Sequence, residues 1–167
     1  MFDKKLFSAH LERARSAQSE YDAFDACWKA FNVYYESLFQ RKQHHELERV
    51  HLAAKALTQS DYQLFLTPAT VQQLLAIAPV FSERDWRRKG VKNTGEHLAV
   101  KPNLTRVNCG HAPTEANVVS LLTLLYIIRC NMAHGFKTPD GPRDREVLSA
   151  ANAIFIPFMN ALARHIL

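Results

Sequence analysis

At 167 residues, 47% apolar and 22% charged, the chain is long enough to bury a core without covalent staples, and it has the make-up of one globular domain, 1–167. The formal charge of +5 is concentrated: between positions 84 and 106, Arg84, Arg87, Arg88, Lys89, Lys92, Lys101 and Arg106 face only Asp85 and Glu96, and the rest of the chain is balanced. Three cysteines, Cys27, Cys109 and Cys130, are odd in number and widely spaced, which excludes a disulfide framework and fits a reducing compartment.

The opening "MFDKKLFSAHLERAR" carries charges throughout and lacks the apolar stretch of a signal peptide. The first forty residues read as helix, in two pieces or one long bent one. In "YDAFDACWKAFNVYYESLF", Tyr21, Phe24, Trp28, Phe31, Tyr35 and Leu38 recur at spacings of three and four, which gathers them into a core stripe. A polar helix follows from about Arg41 to Leu57. On it His44, Glu48 and His51 share a face at a spacing that can bind metal and that equally suits a solvated surface.

"TQSDYQLF" follows, with no element assigned to it. Thr67 then caps a helix that has Pro68 at its first position and stops at Pro79. Ser82 and Asp85 resemble a capping box for a short turn through Trp86, ended by Gly90. From Lys89 to Pro113 no period is sustained, and Gly90, Gly95, Pro102, Gly110 and Pro113 punctuate a long basic loop. Charge alone allows two readings of this segment: a solvated loop that aids solubility, or a stretch that attracts phosphates. Cys109 and His111 lie close together here, but no second ligand pair completes a tetrahedral zinc set.

The most apolar element comes next, "TEANVVSLLTLLYIIRCNMAHG", with Thr114 as N-cap and Gly135 placed for a left-handed close. Its apolar residues run all round the helix, the pattern of a central buried element. The longest apolar run, Val118 to Ile128, is broken by Ser120 and Thr123 and is too short to span a bilayer. "FKTPDGPRD" is a turn-rich connection, Asp144 is placed to cap the last helix, and Pro157 is expected to kink it. The expected class is all-α, in a soluble cytoplasmic protein.

The segment "IIRCNMAHGF" sets Arg129 and His134 five positions apart at the end of that apolar helix. On ideal geometry they are separated by about 140° and about 7.5 Å of rise, so they are not surface neighbours. The helix dipole accounts for His134 near a C-terminus. Arg129 needs a carboxylate, a phosphate or water, because an unpaired buried guanidinium is costly.

"LLYIIRCNMAHGFK", followed by a short linker, "DREVL" and a terminal helix, closely resembles the signature of HEPN-domain proteins, and the upstream "WKAFNVYY" is similar to a first-helix pattern that some of them carry. The resemblance covers roughly half of the chain, its two ends. It implies a HEPN-like helical bundle that forms a two-fold homodimer, with two R-x-x-x-x-H motifs meeting at the interface. It further implies a metal-independent endoribonuclease, without cofactor, in a toxin–antitoxin, phage-defence or stress role, with RNA as substrate and an antitoxin or defence partner. Carried onto this chain, Arg129 and His134 are the catalytic pair and Asn131 a polar helper. Arg87, Arg88, Lys89 and Lys92 become the expected RNA contacts. The alternative is a non-catalytic HEPN-like module that binds RNA or a protein. Two positions depart from the family pattern. Cys130 follows the arginine where many members have a polar residue, and Phe136 stands where some toxins carry a tyrosine that receives AMP.

The residue types suit the chemistry. Cleavage of RNA by its own 2′-hydroxyl needs one proton removed, one proton supplied and charge stabilised on the phosphorane. Histidine titrates near neutral pH and moves protons, whereas arginine stays charged and grips two phosphate oxygens. A two-fold axis would supply both an acid and a base from identical chains.

Overall fold

A computed structural model describes residues 2–38, 45–77, 100–108, 112–133 and 141–167. Among the described residues every regular element is helical, which agrees with the all-α expectation. The eight α-helices among them are α1 (Lys4–Ser16), α2 (Glu20–Leu38), α3 (Glu46–Leu52), α4 (Gln59–Phe65), α5 (Pro68–Ala76), α6 (Val100–Val107), α7 (Glu115–Ala133) and α8 (Pro142–Ile166), and a 3-10 turn, Ala53–Ala56, follows α3.

Local chemistry starts these helices where it should. The Asp3 carboxylate accepts from the Leu6 amide at 2.9 Å and caps α1. Ser19 and Asp22 cap α2: the Asp22 amide donates to Ser19 Oγ at 3.0 Å, and the Ser19 hydroxyl donates to the Asp22 carboxylate at 2.7 Å. Thr67 caps α5 with Pro68 in the first turn, as its sequence requires. Thr114 opens α7, where its own amide donates to Asn117 Oδ1 at 2.6 Å.

The core is built round two elements. The α2 stripe buries Phe24, Trp28, Phe31 and Tyr35, while Leu38 at its end stays exposed. It packs on α1 and α8. Phe31 meets Phe155 and Phe158 edge to face at 5.9 and 5.4 Å, and Phe65 of α4 meets Phe158 at 5.4 Å, so one aromatic cluster joins three helices. The second element is α7, which buries Val118, Leu121, Leu122, Leu124, Leu125 and Ile128 completely and is covered by α3, α6, α4, α8 and the 3-10 turn.

Helix α8 is long and apolar enough to cross a membrane by length and composition, and 67% of its most apolar window is buried in this fold. Its contacts with α2, α4 and α5 account for that composition. Polar bonds fix its position. Asn152 Nδ2 donates to the Glu20 carbonyl and carboxylate at 2.8 and 2.6 Å, and Arg15 donates to Asn160 Oδ1 at 2.6 and 3.1 Å.

Several sequence expectations are corrected. "TQSDYQLF", unassigned from sequence, holds α4: Thr58 and Asp61 form a capping box in which the Thr58 amide donates to Asp61 at 2.8 Å. The long loop is interrupted by α6. Leu104 and Val107 bury one face of that helix, and Pro102 falls in the first turn, where a missing N–H breaks no intrahelical bond. Asp144 does not cap α8: Gly141 is the N-cap, Pro142 the first residue, and Asp144 lies buried two positions on. Pro157, where a kink is expected, lies inside α8, which is helical on both sides of it. The expected polar helix is α3 with its 3-10 turn, starting at Glu46. The expected turn at Ser82–Trp86 and the residues Pro79, Gly90, Cys109, His111 and Gly135 lie outside the described residues.

One clasp ties α8 to α4. Asp61, whose side chain is 8% exposed, accepts from His165 Nε2 at 2.8 Å, from Arg164 Nη2 at 3.3 Å and from Thr58 Oγ1 at 2.6 Å. Burial works against its charge, but the bonds from Thr58, His165 and Arg164 prevail and hold the carboxyl well below the usual carboxylate range. The unfolded chain therefore binds this proton more readily, and the clasp stabilises in full above about pH 4 and weakens as acid approaches the folded-state value. Asp61→Asn is expected to lower stability by about 1–3 kcal/mol at pH 7. Urea unfolding at pH 7 and at pH 3 checks this, and the gap between variant and wild type should shrink at the lower pH.

Candidate functional site

Beyond its first turn, α7 is enclosed on every face and has one polar outlet, its C-terminal turns. Arg129 emerges there with 36% of its side chain exposed. Its Nη2 lies 3.6 Å from Glu46 Oε1, and its Cζ sits 6.0 Å from the centre of the Trp28 ring. The indole is held from below by Phe24, Phe31, Tyr126 and Phe155, with ring centres 5.6 to 6.4 Å away. Arg129 therefore rests on a fixed aromatic floor.

Glu46, the first residue of α3, is the hub of this arrangement. Tyr35 donates to its Oε1 at 2.8 Å and Tyr126 to its Oε2 at 3.4 Å, so one carboxylate joins α2, α3 and α7. Burial first, then the Glu46 charge, raises the Tyr35 phenol far above its ordinary value; burial likewise raises Tyr126, helped by Cys130 and Glu46. Both phenols remain donors across the neutral range. Partial burial disfavours charge on Arg129, yet Glu46 and Cys130 outweigh it and its proton affinity rises. A second ion pair, Arg49 Nη2 to Glu36 Oε1 at 2.8 Å, ties α3 to α2 beside the hub.

A groove of about 320 Å³ opens next to Arg129, at the lower end of the size of ligand pockets. One wall is a face of α2 formed by Tyr21, Phe24, Asp25, Trp28, Lys29 and Asn32; the other is Arg129 and Met132 of α7. The groove thus combines two cations, one carboxylate, one amide and apolar surface.

The expected site residues distribute as follows. Arg129 lines the groove. Asn131 does not: it is 6% exposed, and two positions along an ideal helix place it about 200° from Arg129. His134, Arg87, Arg88, Lys89 and Lys92 lie outside the described residues. Cys130 is buried, and burial, its largest influence, raises its thiol above the ordinary value despite bonds with Tyr126 and Arg129, so it is no ready nucleophile. His51 Nε2 lies 2.8 Å from Thr123 Oγ1 on α7, and Glu48 accepts from the His45 amide at 3.0 Å, which gives both residues structural work. His44 lies outside the described residues, and among those residues no group of three metal-ligating side chains comes together.

Sequence reasoning missed Glu46, Asp25, Lys29 and Asn32. Glu46 is one of two acids in "HHELERVH", and only the packing of α3 on α2 and α7 distinguishes it. The α2 residues were legible as the polar flank of the aromatic stripe, at positions 25, 29 and 32, but their meeting with Arg129 is tertiary.

The chain matches no protein-family model, no curated protein and no solved structure. Its function therefore rests on this geometry and on the motif.

Glu46→Ala is expected to destabilise the fold by about 1–3 kcal/mol, chiefly because the buried Tyr35 hydroxyl is left without its acceptor. Glu46→Gln should cost less, since its amide oxygen still accepts. A double-mutant cycle with Tyr35→Phe, read by urea unfolding, should recover much of the Glu46→Ala loss.

Proposed function

We propose that this chain is a metal-independent endoribonuclease of HEPN-like type, acting as a two-fold homodimer in which Arg129 binds the scissile phosphate and His134 transfers protons. One observation carries the reading: Arg129 is the charged group near the C-terminal end of a helix otherwise enclosed by protein, and it is held beside an open groove by Glu46 and Trp28. A guanidinium fixed on an aromatic floor gives up little freedom when it meets a phosphate, and its fork matches two phosphate oxygens.

In the proposed reaction the 2′-hydroxyl oxygen attacks the adjacent phosphorus while a histidine takes its proton. The P–O5′ bond breaks, the 5′-oxygen receives a proton from the second histidine, and a 2′,3′-cyclic phosphate remains. Arg129 neutralises the charge that builds on the non-bridging oxygens. Asn131, buried about 200° round α7 from Arg129, does not line the groove and has no part in this step. Arg87, Arg88, Lys89 and Lys92 supply sequence-independent phosphate contacts. The reading places the protein in a toxin–antitoxin, phage-defence or stress role with a partner that restrains it, in the cytoplasm.

The ion pair with Glu46 favours a second reading, a non-catalytic module for RNA or a protein in which Arg129 serves structure. The two part over single substitutions. With single-stranded RNA in EDTA, the ribonuclease reading expects wild type to leave 2′,3′-cyclic phosphate ends, and Arg129→Ala and His134→Ala to cut about 10²–10⁴-fold more slowly. Intact RNA with wild type, or undiminished cutting by both variants, removes it. Replacing Arg87, Arg88 and Lys89 by Gln should reduce the slope of log affinity against log salt, by about 0.7 for each phosphate of a single strand that is no longer neutralised. An unchanged slope, measured by filter binding across salt, returns that segment to a role in solubility.

A further inference from the structure

We infer that the face of α2 carrying Asp25, Lys29 and Asn32 is a nucleotide subsite, which holds one unpaired ribonucleotide of single-stranded RNA beside the phosphate bound by Arg129. The inference rests on the ribonuclease reading for its substrate and on the groove for its chemistry. Three properties of the groove converge on such a ligand.

The first is the order of charges. Lys29 Nζ lies 2.6 Å from Asp25 Oδ2 across one turn of α2, so a donor and an acceptor stand side by side on the groove wall. The edge of an unpaired base presents the same kind of alternation, an N–H next to a ring nitrogen or carbonyl oxygen, and can exchange partners with this pair. Asn32, one further turn along, adds an amide that both donates and accepts. Asp25 and Lys29 are 36% and 50% exposed, so neither is locked away from an incoming base.

The second is the flat surface. Arg129 lies over Trp28, and the outer face of a guanidinium is a stacking platform for a base, as aromatic rings and arginines are in single-strand recognition. Tyr21 and Met132, both partly buried, give the apolar contact that a base ring needs at its edges. The third is size. A space of about 320 Å³ suits one nucleotide and is far too small for a duplex, whose bases are in any case turned inward. An aliphatic side chain or a lipid tail would satisfy the apolar surface and leave the cation, carboxylate and amide without a matching edge.

The chain has two tryptophans, Trp28 and Trp86, so in a Trp86→Phe background emission reports on the groove floor alone. Titration with AMP, GMP, CMP and UMP, and with a 2′-O-methyl tetranucleotide that lacks the attacking hydroxyl, should change that emission saturably. Asn32→Ala and Lys29→Ala should each weaken the binding roughly tenfold. Tighter binding of the tetranucleotide than of any mononucleotide identifies an RNA strand as the ligand; equal binding identifies a free nucleotide. The same variants should alter which base flanks the cut in a randomised single-stranded RNA. No emission change with any probe, or binding that both substitutions leave intact, overturns the subsite. Saturable, Asn32-dependent binding without cleavage by wild type keeps the subsite and removes the ribonuclease reading. Cleavage without such binding does the reverse.

Discussion

A helix that is apolar on every side has to be enclosed on every side, and α7 imposes that condition on the rest of the molecule. Five neighbouring elements close round it, α3, α4, α6, α8 and the 3-10 turn. The short helices α3, α4 and α6 help to meet this requirement: none is long enough to be stable alone in water, and each adds one or two apolar side chains to the shared core. Polar groups along α7 find partners inside the enclosure, as Thr123 does with His51 and with the Val119 carbonyl. Only near the ends of the helix does charge reach the surface, as Glu115 at the start and Arg129 in the closing turns. The position of Arg129 thus follows from packing before any function is considered.

What surrounds Arg129 is a compromise between fixing a charge and leaving it usable. The Glu46 pair is open to solvent on both partners and is worth little in water, so a phosphate can compete for the guanidinium. The bonds from Tyr35 and Tyr126 anchor Glu46 itself and keep it from following the arginine. The result is a cation that is placed but not consumed, which the ribonuclease reading needs for transition-state charge, whereas in a binding module the same pairing with Glu46 serves structure.

Much of this architecture can be read before folding is known. The all-α class, the stripe on α2, the start of α5 at Thr67 and Pro68, and the encirclement of α7 all follow from spacing and capping chemistry. The failures have physical causes. The capping box of "TQSD" precedes only seven helical residues, too few for a period to emerge, and α6 hides behind a proline that the first helical turn tolerates. Glu46, Lys29 and Asn32 acquire their meaning only when α2, α3 and the end of α7 come together. Arg129 was visible as an ionisable group out of place in an apolar run, a conflict between local pattern and local chemistry that often marks function.

The bonds from Asn152 to Glu20 and from Arg15 to Asn160 join positions 132 and 145 residues apart. As synthesis proceeds from the N-terminus, α1 and α2 emerge long before α8, and the aromatic stripe of α2 has no complete cover until Phe155 and Phe158 arrive. For most of its time on the ribosome the chain therefore carries an adhesive surface of Phe24, Trp28 and Phe31. Closure of such distant contacts is slow as well, because a long loop must be ordered before the contacts compensate for it. Until α8 is made, that surface is open to association with other chains, so the order in which the helices are synthesised bears on folding as well as the final packing does.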